Sequence, residues 1–164
     1  MTGTEGLRTI VAAFEGGAAY IAAGYARASG GLGVCLGIGG PGILNMTTAL
    51  AGARADRSPV LAISGEVARS WEDMGGFQDA SGAAIDDIDV LRRVTGLSLP
   101  VSSRAVVPHH LRHAITHAFT RRSPVHLSVP IDVQKALIEL HVDKTYPTAA
   151  GVWRERQQEW EDTD

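Results

Sequence analysis

Glu15 is the residue whose setting most demands a chemical explanation. It follows an apolar run, Ile10–Ala13, and Phe14, and it precedes Gly16-Gly17 and the alanine-rich stretch AAYIAAGYARA. A carboxylate at the buried seam between a strand and a helix is costly to desolvate unless it is paired or neutralised. Such an acid either stabilises the positive end of a helix or moves a proton in a site. Gly37, Gly39 and Gly42 fit G-x-G-x-x-G between a strand and a helix. There backbone amides would hold a dinucleotide phosphate, with Glu66 placed as the ribose acid. Pro41 withholds one of those amides. His109, His113 and His117 recur at four-residue spacing, with His110 beside them. That spacing ligates a metal or simply forms a solvated helix face. No supporting acid or cysteine lies near in sequence. Phe77-Gln78-Asp79 reads as a lid or substrate wall in a long loop, or as a loop anchored by one aromatic. Cys35, the single cysteine, lies in the apolar run GVCLGI and suits packing better than nucleophilic attack. Nucleophile elbow, Walker loop and zinc patterns do not occur.

The elements that must position these residues alternate. Thr9–Ala13, Gly33–Ile38, Pro59–Ser64, Leu97–Val101 and Pro124–Val129 read as strands. Gly17–Ser29, ended by Gly30-Gly31, Pro41–Arg54, Ile85–Val94 and Val107–Arg121 read as helices, two of them with proline near the first turn. Gly65–Ser81 is a long glycine-bearing connection. Continuous apolar strands alternating with helices imply an α/β fold, a parallel β-sheet covered by helices on both faces. Ligands of such sheets lie beyond the carboxyl ends of the strands. Glu15, the Gly39–Gly42 loop and the Gly65–Ser81 segment all fall there. After Val142 the chain turns polar and charged, so residues 1–142 form the domain and 143–164 a linker or arm, on which Trp153 and Trp160 offer docking groups.

Composition narrows the classes. The chain of 164 residues is large enough for one cored domain. A net charge of −3 points to neither nucleic acid nor an anionic membrane. No apolar run reaches transmembrane length, no leader is expected, and the single buried thiol suits a cytoplasmic setting. Aromatics make up 5% of residues against 19 glycines, which favours close backbone approach over aromatic packing.

Four collinear segments, EGGAAYIAAGYARASG, GGPGILNMTTALAGARADRSPVLAISGE, GGFQDASG and SPVHLSVPIDVQ, resemble the pyrimidine-binding (PYR) domain of thiamine-diphosphate-dependent enzymes. The nearest branch is similar to acetolactate synthase and its 2-oxoacid decarboxylase and carboligase relatives. The resemblance runs from about Leu7 to Ile138. It implies thiamine diphosphate as cofactor and a small 2-oxoacid as substrate. It also implies that Glu15 shares a proton with the aminopyrimidine ring, a task suited to a desolvated glutamate of raised pKa. By the same resemblance Gly40, Pro41, Gly42 and Asn45 line the aminopyrimidine pocket, and Phe77 and Gln78 reach the substrate side.

Departures accompany the likeness. Phe14 stands where most relatives carry histidine, and Gly96 stands where a lysine is common. By comparison with the family, a strand and helix ahead of Leu7 are missing, so the domain reads as shortened at its N-terminus. Gly-Asp-Gly, the family's diphosphate and Mg²⁺ motif, does not occur. The resemblance therefore implies one subunit of a split enzyme, a hetero-oligomer whose partner brings the diphosphate (PP) domain and the Mg²⁺ ligands. Sulfopyruvate and phosphonopyruvate decarboxylases show such splitting. The alternatives are a non-catalytic scaffold derived from the family and the dinucleotide-binding reading of Gly37, Gly39 and Gly42.

Overall fold

The computed structural model describes residues 8–136 and 146–161. Four parallel strands, β1 (Gly33–Ile38), β2 (Val60–Glu66), β3 (Leu97–Pro100) and β4 (Val125–Pro130), form one sheet in the order β1-β2-β4-β3. The helices are α1 (Glu15–Ser29), α2 (Pro41–Asn45), α3 (Thr47–Ala55), α4 (Asp87–Val94), α5 (Val107–Arg121), α6 (Ile131–Lys135) and α7 (Ala149–Glu161). The α/β class, the parallel sheet and the bounds of β1 and α5 agree with the sequence reading.

Side chains alternate across the strands and build two cores. Cys35, Val60 and Ala62 meet Ala19 and Ala22 of α1, Ile43 of α2, Leu50 and Ala53 of α3, and Leu91 of α4. On the other face Leu61, Val125 and Leu127 meet Ala114 and Ala118 of α5 and Val133 of α6. Cys35 is a packing residue, and burial pushes its thiol up to about 12.

Two local readings are corrected. Thr9–Ala13 is irregular rather than a strand, and Ile10 and Val11 are exposed. An apolar run becomes a strand only against a neighbour, and none among the described residues pairs with it. The helix read over 41–54 is two helices. Met46 closes α2 with a tight bond from its amide to the Ile43 carbonyl, and the Thr47 hydroxyl bonds the Leu44 carbonyl at 2.7 Å. That local bonding interrupts the regular ladder. Part of the C-terminal arm is helical: in α7 Val152 is buried, and Trp153 stacks under the Arg122 guanidinium at 5.8 Å. The Trp160 side chain and the boundary at 142 lie outside the described residues.

A buried polar layer spans β2, β3 and β4. The His126 ring sits between the Ser64 and Ser98 hydroxyls, each 2.9 Å away, and Ser64 also donates to Asp87 at 3.1 Å. Burial holds His126 down to about 3 and pushes Asp87 up to about 6.

Two measurements test this packing. A Cβ on Gly33 would lie 2.0 Å from the Ala22 carbonyl oxygen, whereas a Cβ on Gly52, on the exposed side of α3, meets nothing within 4 Å. Urea unfolding should show Gly33→Ala losing about 1–3 kcal/mol, and Gly52→Ala gaining up to about 1 kcal/mol. His126 takes up a proton on unfolding below its unfolded pKa, so its contribution to stability falls as pH drops. His126→Gln, which removes that uptake, should see its deficit against wild type narrow by about 2 kcal/mol between pH 7 and pH 5.

Candidate functional site

Glu15 is the first residue of α1. Phe14 before it is extended (φ −154°, ψ 138°) and caps the helix through its carbonyl, which accepts from Ala18 at 3.1 Å. The helix end therefore leaves the Glu15 carboxylate beside unsatisfied amides. Asn45, at the end of α2, donates its side-chain amide to Glu15 Oε2 at 3.1 Å. α1 comes this near because Gly16 carries no side chain: a Cβ there would stand 2.8 Å from the Asn45 carbonyl. Gly42 completes the group, since a Cβ would press Ile38 at 2.7 Å and reach Glu15 Cγ at 3.8 Å. Gly40 adopts φ 65°, ψ −119°, which requires glycine, and Pro41 opens α2 after it.

The structure thus brings Glu15, Gly40, Pro41, Gly42 and Asn45 together at the carboxyl edge of the sheet. Gln78 joins them, since a Cβ on Gly40 would lie 3.5 Å from Gln78 Cα. Phe77 is 87% exposed and packs no wall by itself. In the chain alone Glu15 is not a desolvated acid of raised pKa. It is solvent-accessible, and its own backbone amide and Asn45 hold it below the usual glutamate range.

Raised acids sit elsewhere on the same edge. Glu66, at the end of β2, is 7% exposed, and desolvation followed by the charges of Asp87 and Asp79 pushes it up to about 6, against bonds from the Val67 and Ala80 amides. A cavity of about 290 Å³ beside it is lined by Asp87, Ser81 and Ser128 among others. Sequence reasoning placed Glu66 only as a ribose acid. The polar, buried end of an otherwise apolar strand, ISGE, was the available signal.

The other constellations separate. Gly37, Gly39 and Gly42 face Met46, Glu66 and Ile38 closely enough that packing accounts for each glycine, and Glu66 is buried. The histidines form a ladder along α5, with ring centroids 6.4 Å apart between His109 and His113 and between His113 and His117. Bonds to the Pro100 and Gly96 carbonyls hold His110 and His117 against the ends of β3. Among the described residues no group of three or more His, Cys, Asp or Glu is arranged to hold a metal ion. No described helix is long and apolar enough to cross a membrane.

Residues 1–86 match the family described as thiamine pyrophosphate enzyme, N-terminal TPP binding domain. The chain belongs to that family, and its fold is that of a thiamine-diphosphate PYR domain. It is 37% identical over 144 residues to a probable acetolactate synthase large subunit of Methanocaldococcus jannaschii, covering 87% of this chain and 23% of that protein. It is 38% identical over 145 residues to glyoxylate carboligase of Escherichia coli O157:H7, covering 87% and 23%. A probable 2-ketoarginine decarboxylase of Pseudomonas aeruginosa shares 35% over 142 residues, covering 80% and 23%. The chain spans between a fifth and a quarter of the length of the curated relatives it matches.

The Asn45 bond predicts a titration. Removing it in Asn45→Ala deletes a donor to the charged form, so the Glu15 carboxyl midpoint followed by ¹³C NMR should move up. An unmoved midpoint would show that the helix end alone holds the charge.

Proposed function

We propose that this chain contributes the pyrimidine half of a thiamine-diphosphate site in an enzyme that decarboxylates a small 2-oxoacid, joins it to a second carbonyl compound, or does both. The observation that carries the reading is the open half-site. An anionic Glu15 oriented by Asn45 stands beside the Gly40-Pro41-Gly42 turn, whose two glycines carry no side chain, on an accessible surface. The exposed apolar groups Phe14, Ile38 and Phe77 add surface for a flat heterocycle and a covering protein.

The residues present fit the cofactor's pyrimidine end. Gly40 holds a backbone conformation that needs glycine, Gly42 lets Ile38 close against the turn beside Glu15, and Glu15 offers a carboxylate to a ring nitrogen. The cofactor, when bound, supplies the electron sink for cleavage next to a carbonyl. Glu15 holds and returns a proton at the ring nitrogen, and docking of a covering protein raises its pKa toward neutrality by desolvation. Asn45 fixes the carboxylate's direction. Gln78 faces the substrate.

The diphosphate and Mg²⁺ ligands come from a PP-domain partner carrying Gly-Asp-Gly, in a cytoplasmic hetero-oligomer. The relatives include a protein named for acetolactate synthesis, one named for glyoxylate carboligation and one named for 2-ketoarginine decarboxylation, so the shared reaction type is firmer ground than any one substrate.

In the complex purified with its partner, Glu15→Gln should lower kcat by about 10²–10⁴-fold, with assembly on a sizing column unchanged. Near-normal turnover would remove Glu15 from the chemistry. Tight thiamine diphosphate binding by the isolated chain with Mg²⁺ would overturn the split site.

A further inference from the structure

Glu66 lies one strand away from Glu15, and its surroundings ask for a role that the proton chemistry does not use. Oε1 accepts from the Val67 amide at 3.0 Å and from the Ala80 amide at 3.4 Å. Oε2 is buried and has no hydrogen-bond partner. Both oxygens press on the opposite turn, because a Cβ on Gly39 would meet them at 2.7 and 2.8 Å. One carboxyl therefore contacts the turn that begins the Gly40–Gly42 cradle and the turn that ends with Ala80. The two turns also touch directly, Gly40 against Gln78. Gln78 and Asp73 in the second loop hold positive φ, 64° and 62°. Such conformations persist in non-glycine residues only when the surroundings impose them.

We propose that Glu66 is a positioning residue of the half-site, a buried carboxyl clamp that sets the spacing between the Gly39–Gly40 turn and the Gln78–Ala80 turn. The clamp deepens the proposed function and rests on it only for the identity of the ligand. The geometry has a chemical consequence. With Oε1 engaged by two amides and Oε2 unpartnered, the neutral acid suits the pocket better than the anion. The charges acting on Glu66 are acidic, Asp87 from the start of α4 and Asp79 from the loop, and the groups that favour its anion are the Val67 and Ala80 amides. Ionisation as pH rises through about 6 therefore weakens the fit between the turns. In the linkage sense the folded chain holds a proton that the unfolded chain has released, so this contribution to stability falls as pH rises from the ordinary glutamate value to about 6.

The test needs no ligand at first. Amide hydrogen exchange in the full chain, with each rate corrected for its intrinsic pH dependence, should accelerate at least about tenfold at both Gly39–Gly40 and Gln78–Ala80 in Glu66→Ala. Core amides of β2 and β4 should stay protected. The wild-type amide shifts of Gly39 and Ala80 should move with a midpoint near 6, and Glu66→Gln, neutral at every pH, should keep the protection and lose the midpoint. If Glu66→Ala does not fold, Gly39→Ala serves, because its Cβ displaces the carboxyl and should loosen Ala80. Exchange unchanged at Gly39–Gly40, or a midpoint that survives in Glu66→Gln, overturns the clamp. In the assembled complex, thiamine diphosphate with Mg²⁺ should bind at least about tenfold more weakly to Glu66→Ala than to wild type, with Glu66→Gln restoring affinity. Undiminished binding by a variant with loosened turns overturns the positioning role and leaves the proposed function standing. Failure of the unaltered complex to bind overturns the proposed function and leaves the clamp to the exchange data.

Discussion

Backbone contact without side chains is the constraint on which this molecule depends. α1 lies against β1 so closely that the Ala22 carbonyl occupies the place where a Gly33 side chain would begin. At the other end of the helix Gly16 lets the same approach bring it onto Asn45. These contacts fix the height and tilt of α1, and the first residue of α1 is Glu15. Close packing transmits small volume changes through a core. The position of the carboxylate is therefore decided several residues away, by glycines that carry no chemistry.

Electrostatics then divides labour along the carboxyl edge of the sheet. Glu15 sits at a helix N-terminus with an amide donor, and both favour its charge. Glu66 and Asp87 sit deeper, where desolvation outweighs the amides and hydroxyls that reach them. Carboxyls whose environments push their pKa values apart are suited to different tasks. Glu15 is held as an anion at the accessible edge. Glu66 is placed to keep its proton and fill a gap between turns. His126, neutral between two serines, lets the β4 strand cross beneath Asp87 without adding a buried charge.

Much of this was legible in the sequence, for reasons particular residues make clear. SPVHLSVP announces a strand buried on both faces, GVCLGI is an apolar run that the structure covers on one face only, and Pro108 and Gly30 mark helix ends by backbone chemistry alone. The cluster of Glu15, Gly40, Pro41, Gly42 and Asn45 followed from resemblance and was assembled by the fold. What failed depends either on a second body or on a local side-chain bond. Thr9–Ala13 has the composition of a strand and lacks a neighbour to pair with among the described residues. Glu15 has the sequence context of a buried acid, yet its burial depends on what covers α1. The break at Met46 arises from a Thr47 hydroxyl that competes for the Leu44 carbonyl, a contest that periodicity does not register.

β1 is an edge strand among the described residues, and Val34, Leu36 and Ile38, which point away from α1, are each exposed by 43% or more. Phe14, Ile21 and Tyr25 are exposed at and along α1. An apolar strand face beside an unpaired edge is stable in water only at a cost in unburied area. The same covering that would bury this surface would desolvate Glu15 and reverse the direction of its pKa shift.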